Sequence, residues 1–437
     1  MGRGSGRGPK LLRFRSLLEC LGEAAERVAD ARRQASARYT LSDCYRSAYA
    51  MFYLQDPSLL EFQRRFQSQI QSNNLSTVFG VGEIPSDTHL RDLLDAADYR
   101  PLTEVFATYI RRLQRSKELE RYRVYEEKYL LTIDGGEYFN SERLQCHYCL
   151  TRNKSSGVHE YFHQALQPAL VHPELREVLP LAPEFIRRQD GASKQDCETN
   201  AAVRLMERLR SEYPQLPLIV VADSLHATTP SIRRLESKRC SFLLAVKPGS
   251  HKHLFEEIAQ LRDGEMLGRV ERHDRRGRRY LYEWSNELAF GADPKSPQVN
   301  FLALTIFNSA GKPTFRGSWV SDIPITEENV EQLVRAARAR WKIENEGFNT
   351  LKNQGYHLEH NFGHGTRHLS EAFFVVNLLA FFAHQIFQLV DRAYQQARAG
   401  FSSRVEFWNA IRAMFRLFLF ATWDDVLARM NSPPQPL

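Results

Sequence analysis

The segment 217–223, PLIVVAD, does most to limit what this chain can fold into. Its run of apolar, mostly β-branched residues is too short for a buried helix and lacks polar alternation. It therefore predicts a strand covered on both faces. A helical pattern precedes it over 196–213, and another containing Ile232 and Leu235 follows. A second apolar strand is then predicted over 242–246. Strands separated by helices imply parallel pairing in an α/β layer. Upstream, YLLTIDGG over 129–136 reads as a strand entering a turn at Asp134-Gly135-Gly136, and 161–171 and 177–181 offer further strands.

Both flanks read as helices. Within 1–128, helical spacing covers 11–33 and 41–54, and a third pattern starts after Asp56-Pro57-Ser58. Ser86 and Asp87 cap a fourth, which contains Leu90, Leu93 and Leu94, and an Arg- and Glu-rich helix is predicted over 102–127. The texture changes over 249–322, where a basic hairpin at 269–284 and a strong strand at 301–307 read as β. A long amphipathic helix over 327–352 follows, with helices onward to a Pro-rich tail after Asn431. The expected division is a helical domain at 1–128, an α/β core at 129–248, a β-rich insertion at 249–325, the rest of the core at 326–362, and a helical region at 363–437.

Composition removes several classes. An apolar share of 43% and a charged share of 25% exclude disorder, and six cysteines are too few for a disulfide-built secreted chain. The basic N-terminus lacks the apolar segment of a secretory signal. The stretch 372–390 is long enough to span a bilayer, but Asn377, His384, Gln385 and Gln388 interrupt it, so a buried bundle helix is expected. A cytoplasmic protein follows. Its net charge of +7 permits a nucleic-acid partner without requiring one.

Asp134 and Asp223 each follow an apolar strand, where α/β sheets place their sites. Carboxylates on neighbouring strand ends suit hard divalent cations, although an Asp there also serves as a turn former. A third acid lies on the later helix. Val334, Ala337, Trp341, Glu344 and Phe348 fall on one helical face, so Glu344 interrupts an inward stripe where an unpaired carboxylate is costly. Arg340 precedes Glu344 by one turn, and Lys352 follows by two. Glu346 is rotated roughly 200° from Glu344, towards Lys342 and Asn349.

This set resembles the DDE transposases with an RNase H-like core, and more narrowly those of the insertion-sequence-four type, whose hallmark is Y-x2-R-x3-E-x6-K. Arg340-Trp341-Lys342-Ile343-Glu344 matches the R-x3-E part. Ala337 stands at the tyrosine position, and Lys352 comes one residue late, which leaves Glu346 open as the alternative catalytic acid. The resemblance covers about 129–360. It implies an RNase H-like mixed sheet with flanking helices and a β-rich insertion between the fifth core strand and the glutamate helix. It also implies that Asp134, Asp223 and Glu344 bind two Mg2+ or Mn2+ ions. One ion would activate water to cut the element end, and the other would stabilise the leaving 3′-oxygen before the freed 3′-hydroxyl attacks target DNA. Arg340 and Lys352 would contact phosphate. Double-stranded DNA, a homodimer on paired ends and a nucleoid location are further implications. An RNase H-like nuclease without strand transfer, or an inactive DNA-binding protein, remains open.

Two further patches stand out. In the hairpin, Arg272, Arg275, Arg276, Arg278 and Arg279 gather charge at a tip around Gly277, while Tyr280, Tyr282 and Trp284 share a face. This is expected to bind DNA, with Trp284 stacking on a base. Arg3, Arg7, Lys10, Arg13 and Arg15 offer a basic arm. Cys146, Cys149, His159 and His163 form C-x2-C-x9-H-x3-H, a pattern close to a zinc site. Glu198 sits where a helix begins, and its acid reads as a cap.

Overall fold

A computed structural model describes residues 8–32, 38–66, 69–191 and 194–432; Arg3 and Arg7 of the basic arm lie outside these. The N-terminal helices are α1 (Phe14–Glu26), α2 (Leu41–Tyr53), α3 (Leu59–Arg65), α4 (Gln69–Phe79), α5 (Asp87–Ala96) and α6 (Arg100–Arg115). Thr40, Ser58 and Ser86 cap α2, α3 and α5 by accepting from a backbone N–H of the first turn. The helix expected over 102–127 is shorter. Lys117 adopts φ 62°, turning the chain away after Ser116, and strand β1 (Arg123–Tyr125) occupies part of the remainder.

The core follows as β2 (Lys128–Ser141), β3 (Leu150–Asn153), β4 (His159–Val171), β5 (Leu179–Pro180), β6 (Glu184–Ile186), α7 (Glu198–Glu212), β7 (Leu218–Ala222), α8 (Thr229–Ser237) and β8 (Ser241–Ala245). β2 and β4 are antiparallel, β5 and β6 add to β4, and β7 runs parallel to both β2 and β8. This is the RNase H-like mixed sheet with flanking helices. The segment read as a β-rich insertion opens with a helix, α9 (Lys252–Asp263), and continues as β9 (Gly268–His273), β10 (Arg279–Ala289), β11 (Gln298–Phe307) and β12 (Pro313–Ser321). β12 pairs with β8, so these strands extend the core sheet instead of closing on themselves.

Two sequence expectations change here. Asp134-Gly135-Gly136 is no turn: β2 runs through it to Ser141, paired with β4 along its length, and neither glycine has positive φ. The helix expected over 327–352 is broken. α10 (Val330–Arg338) gives way to a turn at Ala339-Arg340, a π-helical stretch over Ile343–Phe348, and α11 (Asn349–Asn353). The wider turn changes the register of the apolar stripe. Phe348 is buried as expected and Ile343, off the expected stripe, is buried too, whereas Trp341, expected inside, is 56% exposed.

The chain ends in α12 (Leu369–Val390), α13 (Arg392–Ala399), α14 (Arg404–Leu417) and α15 (Trp423–Asn431). α12 is long and apolar enough to cross a membrane, yet it lies almost wholly buried within the protein. Its polar residues have sockets. Asn377 donates to the Tyr356 carbonyl, His384 Nδ1 lies 2.6 Å from the Tyr356 hydroxyl, and Gln385 accepts from the Val178 N–H. Phe14 stacks on Trp423 and Phe106 on Phe382, so the helices at the two ends of the sequence share one core around α12.

Candidate active site

Strand register places the first two acids together. Thr132 pairs with Val221 across the parallel strands β2 and β7. Two residues further along, β2 carries Asp134 and the chain leaving β7 carries Asp223, so adjacent parallel strands lead to the two acids. β7 ends at Ala222, and Asp223 turns outward as its Oδ1 accepts from the Leu225 N–H at 2.9 Å. Asp134 sits within a continuing strand.

The glycines after Asp134 explain how the other acids approach. A methyl group at Gly135 would lie 2.2 Å from Oε1 of Glu198, and one at Gly136 would lie 2.3 Å from the Phe348 ring. The first bare position admits the opening residue of α7, and the second admits the glutamate helix. Gln164 Nε2 donates to Glu198 at 2.6 Å and holds it there. Burial and the charge of Asp223 raise the Glu198 carboxyl above the ordinary range. Glu198 is thus a fourth carboxylate of the site, where the sequence suggested a helix cap. The neighbouring Asp196 instead pairs with Arg204 at 2.8 Å. The signal that could have revealed Glu198 was the bare Gly135 beside a strand aspartate.

Arg340 joins the strand to the helix. Its Nη1 lies 2.6 Å from Glu344 and 3.8 Å from Asp134. Asp134 is pushed up to about 7, first by burial and then by the charge of Glu344; Arg340 opposes the shift, while Glu198 and Asp223 add to it. Glu346 acts on Lys342 instead, which fits its place on the other side of the helix. Lys352 pairs with Glu359 at 2.8 Å. A cleft of about 700 Å³ opens beside these groups, lined by Gly135, Gly136, Glu344, Phe348, Asn349 and Lys352 among others. Glu344, Glu198 and Asp223 lie near enough to raise the Asp134 carboxyl, and carboxylate oxygens are the hard donors that divalent cations take, although among the described residues these oxygens do not converge within metal-sharing distance.

The hairpin keeps its charge but not its free aromatic face. Gly277 takes φ 72° at the tip. Arg278 pairs with Asp274 at 2.7 Å, Arg279 with Glu271 at 2.7 Å, and Arg272 with Glu327 at 3.7 Å. Arg275 and Arg276 are exposed and make no ion pair among the described residues. Trp284 lies half-buried across Gly268, where a methyl group would meet its ring at 2.2 Å, and Tyr282 is buried. These aromatics pack against the core, which leaves Trp284 only part of its ring for the stacking role expected of it. In the cysteine region, Cys146, Cys149 and His163 come together, but His159 is exposed and contacts Asn153 at 2.8 Å. Positions four apart along β4 are about 13 Å apart, too far to share an ion.

Residues 184–382 match the family model of the transposase DDE domain. The matched stretch runs from β6 into α12 and includes Asp223 and Glu344. This supports a DDE transposase, an enzyme of the nuclease type that acts on DNA. No curated protein matches the chain.

Proposed function

We propose that this chain is a DDE transposase of the insertion-sequence-four type, cutting element ends by metal-dependent phosphodiester hydrolysis and joining the 3′-hydroxyl to target DNA as a homodimer. The observation that carries the reading is Arg340 bridging Glu344 of the π-helical turn to Asp134 of β2, beside the parallel strand β7 that leads to Asp223. Asp134, Asp223 and Glu344 would hold Mg2+ or Mn2+, with Glu198 beside them. Such ions, when bound, supply a Lewis acid for the scissile phosphate and a lowered water pKa. The protein's own groups do the rest. Arg340 keeps Glu344 turned towards Asp134 and presents a planar donor to phosphate, while Lys352 offers a point charge at the mouth of the cleft. Trp341, exposed one residue beyond Arg340, gives DNA a more open aromatic face than the half-buried Trp284 of the hairpin.

The test is strand cleavage and joining on cognate element ends with Mg2+, read by sequencing the products. Asp134→Asn, Asp223→Asn and Glu344→Gln each lower cleavage by on the order of 10³-fold or more. Glu198→Gln weakens the apparent affinity for the divalent cation by about 10–100-fold. Glu346→Gln stays active. A fully active Glu344→Gln protein, or cleavage without any joined product in the wild type, would overturn the respective half of this reading.

A further inference from the structure

The residues left over from the cysteine motif form a better site than the motif itself. We propose that Cys146, Cys149, His163 and His364 hold a structural zinc ion that fastens the β2–β3 connection and β4, the strand paired with the Asp134 strand, to the segment following the glutamate helix.

The geometry carries this. Cys146 Sγ and Cys149 Sγ are 3.6 Å apart. His163 Nε2 lies 3.4 Å from Cys146 Sγ and 3.5 Å from Cys149 Sγ. His364 Nε2 lies 3.4 Å from Cys149 Sγ and 3.1 Å from His163 Nε2. All four ligand atoms fall within 4.8 Å of one another. A tetrahedral zinc with Zn–S about 2.3 Å and Zn–N about 2.0–2.1 Å has edges of about 3.3–3.8 Å. The five distances follow those edges, slightly contracted, with nitrogen–nitrogen the shortest and sulfur–sulfur the longest, as the bond lengths require. Two thiolates also cancel the charge of a divalent zinc ion, and a Cys2His2 set is a closed structural type with no position left for substrate.

The surroundings fit as well. Cys149 and His163 are only 2% and 3% exposed, which keeps water from one side. The Cys146 N–H donates to Cys149 Sγ at 3.4 Å, a second contact that steadies a thiolate. The Phe139 ring lies 4.3 Å from His364, and Tyr138 stacks on His163 at 5.7 Å. Both aromatics line the cleft that holds Glu344.

His364 is the informative ligand, because it comes from a loop far along the chain. That loop carries Glu359, the partner of Lys352 in the cleft. Beyond the ligand, Asp95 Oδ1 accepts from the backbone N–H groups of Arg367, His368 and Leu369. Zinc would thus pin a cleft wall that backbone hydrogen bonds already anchor on its far side, and it would do so without touching the reacting phosphate.

Elemental analysis of the full-length protein, purified without added metal and washed with a mild chelator, tests this. The expected result is stoichiometric zinc that is retained in His159→Ala and Asp223→Ala and lost in Cys149→Ser and His364→Ala. Replacement by Co2+ should give thiolate-to-cobalt charge transfer and tetrahedral ligand-field bands in the wild type, a readout that needs no variant. Absence of zinc, zinc lost from Asp223→Ala but kept in His364→Ala, or a Cys146–Cys149 disulfide in the purified protein would each overturn the proposal.

Discussion

At the scale of single residues, burial and the charge of Glu344 act together on Asp134, against Arg340. Its carboxyl is raised from 3.8 to about 7, so between those values the folded protein holds a proton that the unfolded chain has released. Stability must therefore fall as pH rises through that window. Asp134→Asn removes this part of the dependence. In metal-free buffer it should be more stable than wild type near pH 8 and lose most of that advantage near pH 4, as measured by chemical denaturation. Equal differences at both pH values would show that Asp134 is not the group responsible. Asp134 and Asp223 were legible because each follows an apolar strand run, and Glu344 because it falls within an apolar helical stripe. Glu198 was not, because an acid at the first position of a helix has a local explanation that hides a tertiary one.

At the scale of elements, two bare glycines let a helix start and a helix turn meet one strand. Gly136→Ala should push Phe348 aside, shift the π-helical turn that carries Glu344, and cost about 1–3 kcal/mol along with most of the cleavage activity. Unchanged activity would show that the turn is held elsewhere. The sequence pattern located this helix but not its break, and the widened turn ends at Phe348, where the helix meets Gly136 of the sheet. The hairpin divides by face. Its aromatics pack against the core, and Arg275 and Arg276 are the exposed cations at its tip that make no ion pair among the described residues. Reversing both to Glu should weaken DNA binding about equally for all sequences and reduce the salt slope by about two. A DNA affinity unaltered by the double change would remove the hairpin from the binding surface.

At the scale of the whole molecule, helices from both ends of the sequence close around α12, and one buried group links them to the sheet. Glu371 on α12 accepts from Arg187 at 2.6 Å and from the Tyr99 hydroxyl at 2.7 Å, joining the C-terminal helices, the core and the N-terminal helices. Glu371→Ala removes the carboxylate partner of the partly exposed guanidinium, which keeps the Tyr99 hydroxyl, and should cost about 2–4 kcal/mol of stability, read as a lowered midpoint of denaturation. A smaller loss, within about 0.5 kcal/mol, would mean that Arg187 finds another acceptor or water. The apolar run at 372–390 announced a buried helix, and its polar interruptions were the reason. Their partners, Tyr356 and Val178, lie too far off in sequence to be read there.

The sequence by itself determined the α/β class, the helical flanks and most of the strands, and it singled out Asp134, Asp223, Glu344 and the arginine that pairs with Glu344. These follow from patterns of period two and near four, which are local and need no partner. Only the tertiary structure decided which strand Asp134 faces, that Glu198 joins it, that Trp341 turns outward while Trp284 turns in, and that His364 replaces His159 beside the cysteines. Each of those depends on distance across the fold, which strand register and a helix break set and which spacing along the chain does not encode.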